Sequence, residues 1–202
     1  MDKRIIIVSG LPRSGTSLMM QMLDKGGVPV VTDHIRTADQ DNPLGYYEYE
    51  RVKRIKEDVS WLPESRGKAF KMVSQLLYEL PASERYGIIF MERDLDEMLI
   101  SQEKMLARLN KPSGPRAAIE RAFREHLRKV RGWLAGQANI EVLSVSYNNL
   151  VERPEEEAER VSAFLGGNAD KESMSKTVDP LLYRNRKTPI DLSSEPVAGG
   201  AA

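Results

Sequence analysis

The spacing of apolar residues along the chain changes period repeatedly, and the changes divide it into alternating strands and helices. Residues 5–8, Ile-Ile-Ile-Val, are a β-branched run without polar alternation. That is the pattern of a strand buried on both faces of a parallel sheet. After a turn-rich stretch over 9–15, residues 16–25 carry Leu18, Met19, Met22 and Leu23 at helical spacing, and Gly26-Gly27 stops the helix. Residues 28–31 predict a second strand, 32–45 a polar irregular stretch, and 46–58 a helix. A third strand is expected over 69–73, followed by a short helix over 74–80 that Pro81 ends. The run YGIIFM at 86–91 predicts another buried strand, and 94–108 a helix with Leu95, Met98, Leu99, Met105 and Leu106 along one side. Two prolines and a glycine make 110–115 a loop. Helix over 117–135, strand over 140–145 and helix over 154–165, opened by Pro154 and closed by Gly166-Gly167, complete the pattern.

Strands alternating with helices predict an α/β fold with three layers, a central mainly parallel sheet of about five strands flanked by helices. In such sheets ligands bind beyond the carboxyl ends of the strands. Attention therefore falls on the loops after Val8, Val31, Val73, Met91 and Val145. One domain is expected over 1–187, with a tail over 188–202 whose Pro, Gly, Ser and Ala lack periodicity.

Composition narrows the chemistry. There is no cysteine, which excludes thiolate catalysis, disulfides and cysteine-ligated metal centres. Thirty Lys and Arg balance thirty Asp and Glu, which argues against a nucleic-acid binder that works by bulk charge. The balance is the sum of opposed segments: 104–131 holds nine basic and two acidic residues, and 141–172 three basic and eight acidic. Part of the basic stretch is a candidate face for a small polyanion or an acidic acceptor. The apolar run behind the charged N-terminus is too short for a secretory signal, and no run reaches the ~18–20 residues of a membrane span. A cytoplasmic protein without membrane association is the expectation.

The loop after the first strand reads Gly10-Leu11-Pro12-Arg13-Ser14-Gly15-Thr16-Ser17. Between a buried strand and a helix start, backbone N–H groups and the helix dipole form an anion cradle. Gly10, Gly15 and Ser17 match the pattern G-x-x-x-x-G-K-[ST], but Thr16 stands where the lysine that reaches the β- and γ-phosphates belongs, and a cation sits upstream at Arg13. This weighs against ordinary ATP or GTP chemistry and for a related cradle holding a different phosphate.

Pro12 to Ser17 resembles the 5′-phosphosulfate loop, P-[KR]-[ST]-G-T-[ST], of sulfotransferases that use 3′-phosphoadenosine 5′-phosphosulfate (PAPS). The resemblance implies a P-loop-type fold in which Pro12, Arg13, Ser14, Gly15, Thr16 and Ser17 hold the 5′-phosphate and Arg13 stabilises the leaving bridging oxygen. A second match is independent of the first. Arg93 at a strand end and Ser101 eight residues later reproduce the family's 3′-phosphate motif, and an arginine fork with a hydroxyl suits a dianionic phosphate. A third segment, Val145 to Pro154, resembles V-x-Y-E-x-L-V-x-x-P, with Asn148 in place of the glutamate and Tyr147 beside the nucleotide. The implied donor is PAPS with 3′-phosphoadenosine 5′-phosphate (PAP) as product, and the implied acceptor is a small-molecule or peptide hydroxyl, or an amine. A sulfuryl group carries less negative charge than a phosphoryl group, so no metal is required.

Transfer to a hydroxyl needs a group that takes the acceptor's proton. His34 is the leading candidate. Asp33-His34-Ile35-Arg36 falls on the E-E-T-R segment of the tyrosylprotein-sulfotransferase branch, with His34 at the catalytic glutamate's position. Glu48, in a stretch similar to N-P-x-G-Y-[FY]-E of bacterial sulfotransferases, is the alternative base. Lys71 matches a lysine that reaches the sulfate or bridging oxygen in family members. Arg184, within the basic run 183–187, matches a C-terminal segment that closes over the 3′-phosphate. His126 is expected to face solvent on its charged helix. Two other classes stay open: a P-loop kinase, which Thr16 opposes, and a nucleotide-binding relative without turnover.

Overall fold

A computed structural model describes residues 4–33, 35–37 and 45–179. Four strands form one fully parallel sheet in the order β2-β1-β3-β4, with β1 Ile5–Gly10, β2 Ala69–Val73, β3 Tyr86–Glu92 and β4 Ile140–Ser146. The two central strands, β1 and β3, are the uninterrupted apolar runs, and both are buried over nearly their whole length. β4 lies at an edge and is largely exposed.

Alternation along the strands sends side chains to two apolar layers. Ile6, Val8, Ile89 and Met91 point to one face. There they meet α1 (Thr16–Lys25), α5 (Tyr147–Glu152), α6 (Pro154–Phe164) and α7 (Lys171–Lys176) through Met19, Met22, Leu150, Val161 and Met174. Ile5, Ile7, Ile88 and Phe90 point to the other, against Trp61, Phe70, Val130 and Leu134. That second face is covered by α4 (Arg116–Ala135) and the segment following α2 (Glu50–Lys53). Each such side chain contributes roughly 1.5–3 kcal/mol by leaving water. α3 (Leu95–Arg108) follows β3, its N-terminus capped by the Asp94 carboxylate, which accepts from Asp96 N and Glu97 N. Among the described residues no helix is long and apolar enough to cross a membrane.

Three expectations need correction. Among the described residues the sheet has four strands where about five were expected, because residues 28–31 make a single bridge, Val30 to Ala69. Pro29 has no N–H, although its carbonyl accepts from Ala69 N at 2.8 Å, and the Asp33 N–H donates to Glu48 O instead of to β2. The expected helix over 46–58 shrinks to Glu50–Lys53, since Tyr47 takes a left-handed conformation at φ 52°. The stretch Ser74–Glu79 is a 3-10 helix. α5 and α7 are additional short helices, each started by a side-chain cap: Ser146 accepts from Asn149 N, and Asp170 from Glu172 N and Ser173 N. The expected tail over 188–202 lies outside the described residues.

Trp61 fixes the segment behind Glu48 to the sheet. It is 2% exposed, stands edge-on to Tyr49 and Phe70 at 5.4 and 5.0 Å, and donates its indole N–H to Asp58 O at 3.0 Å. Trp61→Ala is expected to cost about 3–5 kcal/mol. Thermal or urea unfolding measures this, and a loss below about 1 kcal/mol would contradict the packing described.

Candidate functional site

β1 ends where the chain must turn tightly into α1. A Cβ on Gly10 would lie 2.5 Å from Ser14 Oγ and 2.7 Å from Met91 O, so only glycine lets β1, the loop and β3 approach this closely. Gly15 takes φ 97° at the N-cap of α1, and a Cβ there would fall 2.3 Å from the Tyr147 ring. Arg13 is left-handed at φ 69°. The start of α1 has neither a side-chain cap nor an acid in its first turn, and first-turn N–H groups have no acceptor within their own helix. Ser14 is 1% exposed and its Oγ has no hydrogen-bond partner. Pro12 stands exposed at the loop's tip.

Three sequence-predicted residues meet here from three elements. Arg13 Nε donates to Ser101 Oγ at 3.0 Å, and Arg93 Nη1 donates to Arg13 O at 3.3 Å. Arg93 is 7% exposed, pairs with Glu97 at 3.3 Å, and sits 4.3 Å from the centroid of the Tyr147 ring. Asn148 Nδ2 donates to the same Glu97 oxygen. The carboxylate facing Arg93 therefore comes from α3, while the residue after Tyr147 is a neutral amide.

A second cluster lies on the β2 flank. Lys71 Nζ donates to Ser17 Oγ at 3.3 Å and to Tyr46 O, and lies 3.9 Å from Glu48. Ser17 Oγ in turn donates to Tyr46 O. Glu48 also pairs with Arg36 at 2.7 Å and Lys53 at 3.4 Å, and the Arg36 guanidinium lies 3.3 Å from the Tyr46 ring centroid. Burial lowers the Lys71 pKa to about 8. The Glu48 carboxylate opposes the shift, but Arg36, Arg13 and Lys53 reinforce it. Burial raises the Glu48 pKa, yet Lys71, Arg36 and Lys53 outweigh it and hold the carboxyl below its ordinary range. A proton acceptor held this way is weak at neutral pH.

His34 and Arg184 lie outside the described residues. The chain beside His34 is anchored, since Asp33 Oδ2 accepts from Glu50 N at 2.6 Å and Arg36 grips Glu48. Sequence reasoning missed Arg36 and Tyr46 as members of this cluster. Both lie in segments already matched to family motifs, Arg36 two residues after His34 and Tyr46 two before Glu48, but nothing in the sequence shows that they meet. His126, expected in solvent, is half-buried: its Nε2 is 2.9 Å from Ser74 Oγ and its ring is edge-on to Tyr78, and burial lowers its pKa. Among the described residues no three His, Asp or Glu side chains gather to hold a metal.

With this geometry in place, comparison with known proteins adds the family. The family model described as "Sulfotransferase domain" matches residues 2–189. No curated protein matches the chain in sequence. Among solved structures, mouse sulfotransferase SULT7A1 complexed with PAP is similar at 17% identity, over 87% of this chain and 62% of that one, with a TM-score of 0.53. The likeness is one of fold, and this chain spans less than two thirds of the mouse protein. A sulfotransferase from Alicyclobacillus acidocaldarius is similar at 14% identity over 81% of both chains, with a TM-score of 0.47.

The charge arrangement predicts one lysine unlike the others. NMR of selectively labelled lysine side chains is expected to show the Lys71 ammonium titrating near pH 8, assigned by its loss in Lys71→Met. Glu48→Gln removes the one opposing carboxylate and moves that midpoint lower still. A Lys71 midpoint at the ordinary value near 10.5 would contradict the described burial.

Proposed function

The chain belongs to the sulfotransferase domain family, and on that premise we propose that it moves the sulfuryl group of PAPS to a hydroxyl or amine of a small-molecule or peptide acceptor, leaving PAP. The observation that carries this reading is the meeting of Arg13, Arg93 and Ser101 beside the uncapped start of α1. The residues present suit a bis-anionic nucleotide: an N-terminus with no acid of its own, a buried Ser14 hydroxyl without a partner, and cations on both flanks of the loop.

When bound, PAPS supplies an activated sulfuryl group. In this proposal Pro12, through its ring, shapes the loop, and the backbone N–H groups of Ser14, Gly15, Thr16 and Ser17 with the Arg13 guanidinium hold the 5′-phosphate. Arg93 and Ser101 hold the 3′-phosphate, joined by Arg184. Tyr147 packs on Gly15 and beneath Arg93, which keeps the two halves in register. Lys71, next to Ser17, places a positive charge where negative charge grows on the 5′-phosphate oxygens. His34 takes the acceptor's proton on its imidazole. Glu48 is the weaker candidate for that proton because three cations already hold it, and it positions Arg36 and Lys71 instead. The residues named need no metal ion for these roles.

PAP is expected to raise the melting temperature equally with EDTA and with Mg²⁺, by mass action on the folded state. Arg93→Ala should abolish that shift. Stabilisation by ATP with Mg²⁺ alone would replace this reading with a kinase. His34→Ala is expected to retain the PAP shift and lose about 10²–10⁴-fold in turnover against acceptor panels. Unchanged turnover in that variant would remove His34 as the base.

A further inference from the structure

On the β3 flank of the phosphate loop the structure has a cleft of about 630 Å³ that shares Ser14 and Arg93 with the proposed cradle and extends beyond it along α4. Its size falls within the range of small-molecule sites. Leu11 and Met98, 2% and 1% exposed, and the half-buried Leu127 give it an apolar floor. Arg124, Arg128 and Arg131 line it from α4. Their spacing of four and three residues puts all three on one face of that helix. The buried Ser14 hydroxyl without a partner also lines it.

Each arginine there already pairs with a carboxylate, but three of those carboxylates lie outside the lining. Four arginines, Arg93 included, line the cleft against two carboxylates, Glu92 and Asp94. Both carboxylates are engaged: Glu92 with Arg131 at 2.9 Å, Asp94 as the cap of α3. Arg124 and Arg128 pair with Glu120 and Glu125 on their own helix, at 2.7 and 2.8 Å. Their side chains are 65% and 71% exposed. Exposed pairs of that kind contribute at most about 1 kcal/mol and exchange readily for a ligand anion.

We propose that this cleft is a second binding site, beside the PAPS cradle, for an amphiphilic anion: an aryl or alkyl acid. The apolar body lies on Leu11, Met98 and Leu127, and its carboxylate, sulfonate or sulfate ester meets Arg124 and Arg128. An apolar floor selects the body and the arginine fork selects the charged end. The site stands whether or not PAPS is the donor, because these five contacts are residues other than Ser14 and Arg93, which line the cleft where it meets the proposed cradle.

The test uses the full chain and the fluorescent aryl sulfonate 8-anilino-1-naphthalenesulfonate, with uncharged N-phenyl-1-naphthylamine as its partner probe. One saturable site is expected for the sulfonate. The double variant Arg124→Gln/Arg128→Gln should raise its Kd at least about tenfold, as loss of a charge-assisted contact does. The neutral probe should change less than about twofold, and saturating PAP should leave the sulfonate's Kd unchanged. Both arginines are exposed, and circular dichroism verifies that the variant folds. Sulfonate binding that the variant does not weaken, equal weakening of the neutral probe, or the absence of saturable binding would overturn the proposal. Competitive displacement by PAP would also overturn it, assigning the cleft to the nucleotide while leaving the sulfotransferase reading intact.

Discussion

A lysine ammonium enclosed between the phosphate loop and β2 is the contact around which the site is arranged. Lys71 has 13% of its side chain exposed and bonds at once to α1, through Ser17, and to the chain ahead of α2, through Tyr46 O. Burying a charge is costly unless it is paired, and among the described residues the carboxylate in range, Glu48, is shared with Arg36 and Lys53. The local balance stays positive, which is why Lys71 holds its proton less firmly than an ordinary lysine. A region with more cations than anions, beside a helix start without a cap, is an arrangement that a phosphate completes.

The sheet supplies the rigidity that such an arrangement needs. β1 lies between β2 and β3, so the connection after β1 runs to β2 on one side while the one after β3 runs to β4 on the other. That point is where parallel sheets open a crevice. Lys71 arrives from β2, Arg93 from just past β3 and Tyr147 from just past β4, each fixed to a strand of the one parallel sheet. The loop itself is held by fit. Gly10 and Gly15 have no room for a side chain, and the Tyr147 ring spans the distance from Gly15 to Arg93.

Much of this was legible in the chain, and the parts that were not share a cause. β1, β3, α1 and α3 are legible because their apolar spacing is local and uninterrupted. Arg13, Arg93 and Ser101 are singled out by resemblance to the family's phosphate motifs, and the structure brings the three together. Residues 28–31 have the composition of a strand, but whether they pair is decided by Pro29 and by Asp33, which bonds to Glu48 and Glu50 instead. The grouping of Arg36, Tyr46, Glu48 and Lys71 depends on contacts across up to thirty-five positions, on chain whose course no periodicity sets. His126 shows the same limit: a charged helix pattern says nothing of the Ser74 hydroxyl and Tyr78 ring that enclose it.

In the proposed function the loop's cations hold a phosphate, and Lys71 is the most sensitive of them. Calorimetry of PAP binding in two buffers of different ionisation enthalpy tests this directly. Near pH 8.5, above its midpoint of about 8, Lys71 is largely uncharged in the free protein. A bound phosphate restores the charged form, so a substantial fraction of one proton should be taken up per PAP. At pH 6.5 Lys71 is already protonated, and its share of the uptake should vanish, as it should at both pH values in Lys71→Met. Binding at pH 8.5 with no proton uptake, or with uptake that Lys71→Met leaves unchanged, would contradict the account.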